Sequence, residues 1–124
     1  MGFDTTSPLW IQLVDRLQTR VVAGQWAPGQ KIPSVRELAV EFGVNPNTVQ
    51  RALSELDRLG LTATERTSGR FFTADRQQVA QQRFRLATGA VDGAIDVLAG
   101  LGLDRDTAIE LFGSRWDDIQ KEEK

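Results

Sequence analysis

Apolar side chains recur at intervals of three and four residues near the start of the chain, at Trp10, Leu13, Val14, Leu17 and Val21. This spacing places them on one face of an α-helix. Ser7-Pro8 precedes the run, and a side-chain oxygen followed by proline is a common helix start. Gly24 follows the run, and glycine readily adopts the left-handed conformation that ends many helices. The pattern predicts a helix over residues 8–23.

Two shorter helices follow, each with recognisable end signals. Ser34 and Glu37 have the spacing of a capping box, in which each side chain bonds the backbone amide of the other. Gly43 ends the two-turn helix that begins there. Asn45-Pro46 then provides a cap and a proline at the first helical position. A third helix is therefore predicted over residues 46–59.

The connection between these two helices has three residues, which is the spacing of a helix-turn-helix motif. Beyond it, β-prone residues 61–64 and 70–73 flank a polar segment, and this pattern predicts a hairpin. Residues 31–32 are expected to form a very short strand. The predicted fold class is α+β and mostly α, with a winged helix-turn-helix over residues 1–74.

Helical spacing returns from about Asp75 and predicts a helical region over residues 75–124. A long helix of about 24 residues is expected first, although Gly89 and Gly93 count against its continuity. Gly100-Leu101-Gly102 ends it, and Asp104 or Asp106 caps a final helix.

The apolar stripes of these two helices are too extensive for one chain to bury both. The sequence therefore predicts a homodimer that pairs through a short two-helix tail. Packing within one chain is the alternative use of the same stripes. The candidate dimer-interface residues are Phe84, Val91, Ile95, Leu98, Ile109, Phe112, Trp116 and Ile119.

The amino-acid composition excludes several classes of catalytic and metal-binding site. The chain has neither cysteine nor histidine, so Cys/His metal sites and nucleophiles activated by histidine are excluded. It also lacks a glycine-rich phosphate loop, and we expect no enzyme activity, no metal and no cofactor. The N-terminus does not resemble a signal peptide and no apolar run is long enough for a membrane span, so a cytoplasmic protein is expected.

Hydrogen-bonding side chains at the start of the third predicted helix indicate a DNA-binding role. Asn47, Thr48, Gln50 and Arg51 lie at the end of the helix that would enter a major groove. Arg36 lies beside the unpaired amides of a helix start, where a DNA phosphate would fit. The alternative is that these are solvated positions. We favour DNA contact for Arg36 and Arg51, find the two readings of Gln50 evenly balanced, and prefer solvation for Arg58.

The net charge of −2 does not exclude DNA binding, because attraction to DNA phosphates depends on the charge of the surface patch that faces the duplex. A winged helix that binds a protein is the main alternative function. Such a domain would be expected to present an apolar or acidic third helix, whereas this one is neutral to basic.

Three blocks of the sequence resemble the GntR family of bacterial regulators: Pro8–Leu13, Ile32–Ala39 and Gly43–Leu53. Gly24 and Pro28-Gly29 also match the family pattern. The opening block, the Asn-Pro-Asn-Thr-Val turn and the short tail are most similar to its YtrA-like branch. Over residues 8–73 the resemblance rests on specific sequence motifs. Over residues 75–124 it is limited to the expected arrangement of helices.

This resemblance implies a homodimer that binds a palindromic double-stranded DNA operator and usually represses transcription. The branch often controls genes for ABC transporters and its own operon. A small-molecule effector is left open, because no cluster of polar residues points to one. Thr67 stands where the wing of relatives usually has its first glycine. The candidate DNA-binding residues are Arg36, Asn45, Asn47, Thr48, Gln50, Arg51, Arg66, Thr67, Ser68, Gly69 and Arg70.

Overall fold

The structure is a computed structural model that describes residues 3–65 and 69–123. Its elements, in chain order, are α1 (Leu9–Val22), α2 (Val35–Phe42), α3 (Pro46–Arg58), β1 (Thr62–Glu65), β2 (Gly69–Phe72), α4 (Arg76–Gly100) and α5 (Arg105–Glu122). The predicted winged helix-turn-helix and two-helix tail are confirmed.

The boundaries of α2 and α3 follow the cap residues that the sequence identified. The cap expected from Ser7 is wrong, because Pro8 takes the N-cap position of α1 and no side chain caps that helix. Ser34 Oγ accepts a hydrogen bond from the Glu37 amide at 3.1 Å, and the Glu37 carboxylate accepts one from the Ser34 amide at 3.4 Å. Gly43 ends α2 with a φ of 66°, a left-handed conformation that costs glycine little. The first and third helices agree with their predicted ranges to within one residue at each end.

The wing is an antiparallel hairpin in which Thr62 pairs with Phe72 and Glu65 pairs with Gly69. Lys31 adds a single antiparallel bridge to Phe71. The short strand expected at residues 31–32 is thus reduced to one bridge. Ile32 is buried, so this bridge fastens the segment before α2 to the wing.

One apolar core holds the three N-terminal helices and the wing together. α1 contributes Leu13 and Leu17, both fully buried, and α2 contributes Leu38. The remaining core residues of α3 and the hairpin are Val49, Ala52, Leu53, Leu56, Leu61 and Phe72. This core fixes which side of α3 is turned toward solvent.

The long helix α4 runs without interruption through Gly89 and Gly93, contrary to the concern raised by the sequence. Each glycine costs on the order of 1 kcal/mol relative to alanine, but neither removes a backbone hydrogen bond. Asp104 rather than Asp106 caps α5, accepting a hydrogen bond from the Thr107 amide at 2.8 Å. That bond lowers the pKa of the Asp104 carboxyl. Within the described ranges, no helix is both long and apolar enough to cross a lipid bilayer.

The chain divides into two compact units, one extending to Phe84 and the other beginning at Arg85. The division falls later than the expected boundary at residue 74, because polar side chains fasten the start of α4 to the first unit. Gln78 donates to the Leu59 carbonyl at 2.9 Å, and Arg83 donates to the Val22 carbonyl at 2.9 and 2.6 Å. These hydrogen bonds are made by polar side chains, so the spacing of apolar residues along the sequence could not predict them.

Gln82 makes the most buried of these polar attachments. Its amide donates to Gln18 of α1, and the two side chains are only 4% and 5% exposed. A buried amide that loses its partner keeps its desolvation cost without the compensating bond. The pair therefore specifies how the first turns of α4 lie on α1.

We predict that Gln82→Ala lowers the free energy of unfolding by about 1–3 kcal/mol, because Gln18 loses a buried partner. The neighbouring exposed residue supplies the matched control, and Gln81→Ala should change stability by less than about 0.5 kcal/mol. Urea unfolding of both variants measures the difference. Equal stabilities would show that the Gln18–Gln82 pair does not hold α4 to the first unit.

Candidate nucleic-acid interface

One side of α3 is buried and the other is exposed, as a helix entering a DNA groove requires. Val49 and Leu53 lie in the core, whereas Asn47, Gln50 and Arg51 are exposed. Thr48 is half-buried. The structure thus brings together on one helix the four first-turn and second-turn side chains that the sequence selected. Their contact with DNA stays a prediction.

Asn45 has a structural role at the start of α3. Its side-chain oxygen accepts a hydrogen bond from the Asn47 amide at 2.8 Å. This bond satisfies a backbone donor that would otherwise be unpaired at the helix start. The oxygen can accept a second hydrogen bond, and the NH₂ group of Asn45 supplies two donors, so DNA contact by Asn45 stays a prediction.

Arg51 lies against an aromatic ring that the sequence reasoning did not connect with it. The guanidinium carbon is 4.2 Å from the centre of the Trp10 ring, within the range of a cation–π interaction. The side chain of Arg51 makes no hydrogen bond or ion pair with any described residue. It is exposed on the solvent side of α3, where a base edge could accept from it.

Arg36 is the second residue of α2 and is exposed. The capping box uses the amides of Ser34 and Glu37. The amides of Val35 and Arg36 have no carbonyl of an earlier helical turn to bond, as at any helix start. The position therefore combines a cationic side chain with unpaired backbone donors, which suits a phosphate oxygen.

The structure places Arg70 differently from the other candidates. Its guanidinium forms an ion pair with Asp57 of α3 at 3.0 Å, and its side chain is only 18% exposed. Asp57 also accepts a hydrogen bond from the Thr62 hydroxyl. We interpret Arg70 as a residue that fastens the wing to α3, and its DNA contact stays a prediction.

Gly69 begins β2 with a φ of 99° and pairs with Glu65 at the base of the wing tip. The candidates Arg66, Thr67 and Ser68 lie outside the described residues. Their contact with DNA stays a prediction of the sequence.

Lys31 is a cationic residue near the wing that the sequence reasoning missed as a DNA candidate. A Cβ built on Gly69 would lie 3.0 Å from Lys31 Cε, so the lysine side chain lies against the backbone of the wing. Lys31 is exposed and has no hydrogen bond or ion pair in the described part of the chain. The only signal in the sequence was its position one residue before Ile32, which pairs with the wing backbone.

Arg58, for which solvation was preferred over DNA contact, has a partner on its own helix. It forms an ion pair with Glu55, one turn earlier on α3. The hydrogen bond from Arg58 lowers the pKa of the Glu55 carboxyl, and the same bond raises the pKa of Arg58. Because Arg58 is exposed and Glu55 is only half-buried, this pair adds little to stability.

These features define a DNA-binding domain of the winged helix-turn-helix class. Residues 11–72, which run from α1 to the end of β2, match the family described as bacterial regulatory proteins, gntR family. The chain belongs to the GntR family of transcriptional regulators. It is therefore a DNA-binding regulator and not an enzyme, as the sequence predicted.

Similar proteins extend the match beyond the DNA-binding domain. An uncharacterised HTH-type transcriptional regulator of Bacillus subtilis, YhcF, is 35% identical over 108 residues, covering 87% of this chain and 89% of that protein. The B. subtilis HTH-type transcriptional repressor YtrA is 38% identical over 69 residues, covering 56% and 53%. A solved GntR-family regulator from Listeria monocytogenes superposes with a TM-score of 0.85 at 32% identity, covering 90% of this chain and 98% of that one.

We predict that Lys31→Gln weakens binding to random-sequence duplex DNA and to a selected site by the same factor. The slope of log K against log salt should become shallower by about 0.9, because one phosphate contact is lost. Fluorescence anisotropy at several salt concentrations measures both quantities. Lys121→Gln, which removes a lysine from the last turn of α5, is the control and should leave the slope unchanged. An unaltered slope in Lys31→Gln would exclude Lys31 from the interface.

Proposed function

We propose that this regulator is a homodimeric repressor that binds a palindromic operator, with α3 of each copy in a major groove. The observation that carries the proposal is the exposed face of α3, which presents amide and guanidinium groups and no carboxylate at residues 47, 50 and 51. The buried opposite face holds the helix in one orientation. A groove lined with base-edge donors and acceptors complements such a surface.

Each side chain of this face has a distinct task in the proposal. Asn47 and Gln50 carry carboxamides, which suit the paired donor and acceptor of adenine. Arg51 carries a fork of donors that suits guanine. Thr48 suits a phosphate or a thymine methyl group, and Arg36 suits a phosphate on the DNA backbone.

The tail supports dimerisation because many of its large apolar side chains stay exposed within the chain. None of the residues of α5 is buried in the described structure. Ile95 on α4 and Ile109 on α5 are each 55% exposed, and Trp116 is 57% exposed. Val91, Ile95 and Leu98 are separated by four and three residues, which places them on one stripe of α4. The first-unit candidate Phe84 is also exposed, at 75%.

An apolar hollow of about 430 Å³ lies beside this stripe, in the bend between α4 and α5. Ile95, Leu98, Leu103 and Ile109 contribute to its walls. We propose that apolar side chains of a second copy fill it. A two-fold arrangement would bury the same stripe on both copies at once.

Repression is proposed from the relatives, since YtrA of B. subtilis is named as a repressor. Control of the chain's own gene and of an ABC transporter operon rests on the resemblance to the YtrA-like branch. Footprinting of the DNA upstream of its own gene tests this part of the proposal. Protection of no site there would exclude autoregulation.

We predict that Ile95→Glu shifts the full-length protein from dimer to monomer at micromolar concentration, because a charge on the stripe would be desolvated on pairing. Val97→Glu is the matched control. Val97 is 63% exposed on the same helix but lies about half a turn around from Ile95. Sedimentation equilibrium measures both variants. A dimer that persists in Ile95→Glu, or that Val97→Glu disrupts equally, would contradict pairing through this stripe.

A second prediction separates base contacts from backbone contacts. Using sites selected from a random duplex library by the native chain, Arg51→Ala should relax preference at one operator position and lose roughly 1–3 kcal/mol on the selected site. Arg36→Ala should weaken selected and random DNA alike, with a salt slope shallower by about one contact.

Both variants change exposed side chains and should melt close to the native temperature. Equal losses on all sequences for Arg51→Ala would refute a base-reading role for that arginine. A loss of selectivity in Arg36→Ala would instead place Arg36 inside the groove.

A further inference from the structure

We infer that Trp10 of α1 is a specificity-determining positioning residue, whose ring aims the Arg51 guanidinium at a base edge. This inference rests on the proposed function, because it assumes that Arg51 contacts a base. Trp10 itself lies on a different helix from the reading face. Its effect on base preference would therefore pass through Arg51.

The ring is well suited to hold another group, because its own position is fixed. Trp10 is half-buried and packs against the hydrophobic core. The segment before α1 is also fastened down. Gln12 donates to the carbonyls of Asp4 and Ser7 at 2.9 and 2.8 Å, and accepts from the Asp4 amide at 3.0 Å. Trp10 therefore lies between two anchored parts of the chain.

Stacking on a ring orients an arginine without using its hydrogen-bond donors. The guanidinium is planar and its five N–H groups point outward in that plane, so a ring below the plane leaves all of them available. Arg51 lies over Trp10 with 4.2 Å between its guanidinium carbon and the ring centre. In the described part of the chain, none of its N–H groups has an acceptor.

Other arginines of the first unit are held in a different way. Arg20 pairs with Glu41, Arg58 with Glu55, and Arg70 with Asp57. Each of these pairs neutralises the guanidinium and occupies donors. Arg20 also lies over the Phe42 ring, at 4.6 Å, but it has a carboxylate partner as well. Of these four arginines, only Arg51 has an aromatic contact without a carboxylate partner, and it is the one on the proposed reading face.

The carboxylate most able to compete for Arg51 is already engaged. Glu55 lies four residues after Arg51 on α3, at the spacing that favours an ion pair along a helix. Its carboxylate instead accepts from Arg58 at 2.8 Å. The arrangement leaves the charge of Arg51 available and restricts its side-chain rotamers before DNA arrives, which lowers the entropy lost on binding.

The experiment compares Trp10→Leu, Trp10→Tyr and Arg51→Ala on the selected site and on single-base variants of it. Trp10→Leu keeps apolar volume but removes the ring face. We expect it to reduce discrimination by roughly two- to fivefold, as a surface cation–π interaction would, at the same position that Arg51→Ala relaxes. Trp10→Tyr should retain most of the discrimination. In Arg51→Ala, adding Trp10→Leu should cause no further loss of discrimination.

Phe3→Leu is the matched control, because Arg16 of α1 lies over the Phe3 ring at 4.1 Å and neither residue belongs to α3. It should leave base preference unchanged. The melting temperature is measured for every variant. If Trp10→Leu does not fold, Trp10→Met, which also lacks a ring face, takes its place in the comparison with Trp10→Tyr.

The outcomes separate this inference from the proposed function. Losses from Trp10→Leu that are equal on every sequence would reduce Trp10 to a packing residue and overturn the inference. Additive losses in the double variant would also overturn it. If Arg51→Ala alone leaves base preference intact, the base-reading proposal fails first, and the inference fails with it.

Discussion

The burial of one side of α3 is the constraint on which the rest of the DNA-binding unit depends. Val49, Leu53 and Leu56 are almost completely removed from solvent, and each such side chain contributes roughly 1.5–3 kcal/mol. The helix cannot rotate about its axis without exposing these apolar side chains. The positions of the apolar residues therefore determine which residues of α3 face solvent. Asn47, Gln50 and Arg51 are presented together only because the core lies behind them.

Polar contacts perform a second task, which is to fix the angles at which elements join this core. Asp57 connects α3 to the wing through Arg70, and the buried Gln18–Gln82 pair connects α1 to α4. Hydrogen bonds of this kind are directional, whereas apolar burial is not. The DNA-binding unit thus uses apolar contacts to form and polar contacts to align its wing and the start of α4.

The local signals in the sequence predicted the fold closely. Each helix boundary named from a capping residue or a glycine lies near its observed position, because these residues satisfy or end backbone hydrogen bonds within a few positions along the chain. The exposed candidates on α3 follow in the same way from helical periodicity.

The contacts that escaped sequence analysis all join residues far apart in the chain. Trp10 and Arg51, Arg70 and Asp57, and Lys31 and Gly69 meet only after the core has formed. Each side chain has ordinary alternatives in solvent, so its residue type alone does not select a partner. The attachment of the start of α4 to the first unit is of the same kind, since polar side chains make it.

The pairing of arginines with carboxylates has a consequence for how tightly one copy can hold DNA. With Arg20, Arg58 and Arg70 in ion pairs, three cations of a single DNA-binding unit are partly neutralised, which is expected to lower its affinity for one half-site. Joining two copies makes the second half-site encounter intramolecular, with an effective concentration on the order of millimolar. In the proposed dimer, assembly and DNA binding are linked by mass action. Operator occupancy should therefore rise more steeply with protein concentration than it would for simple one-to-one binding.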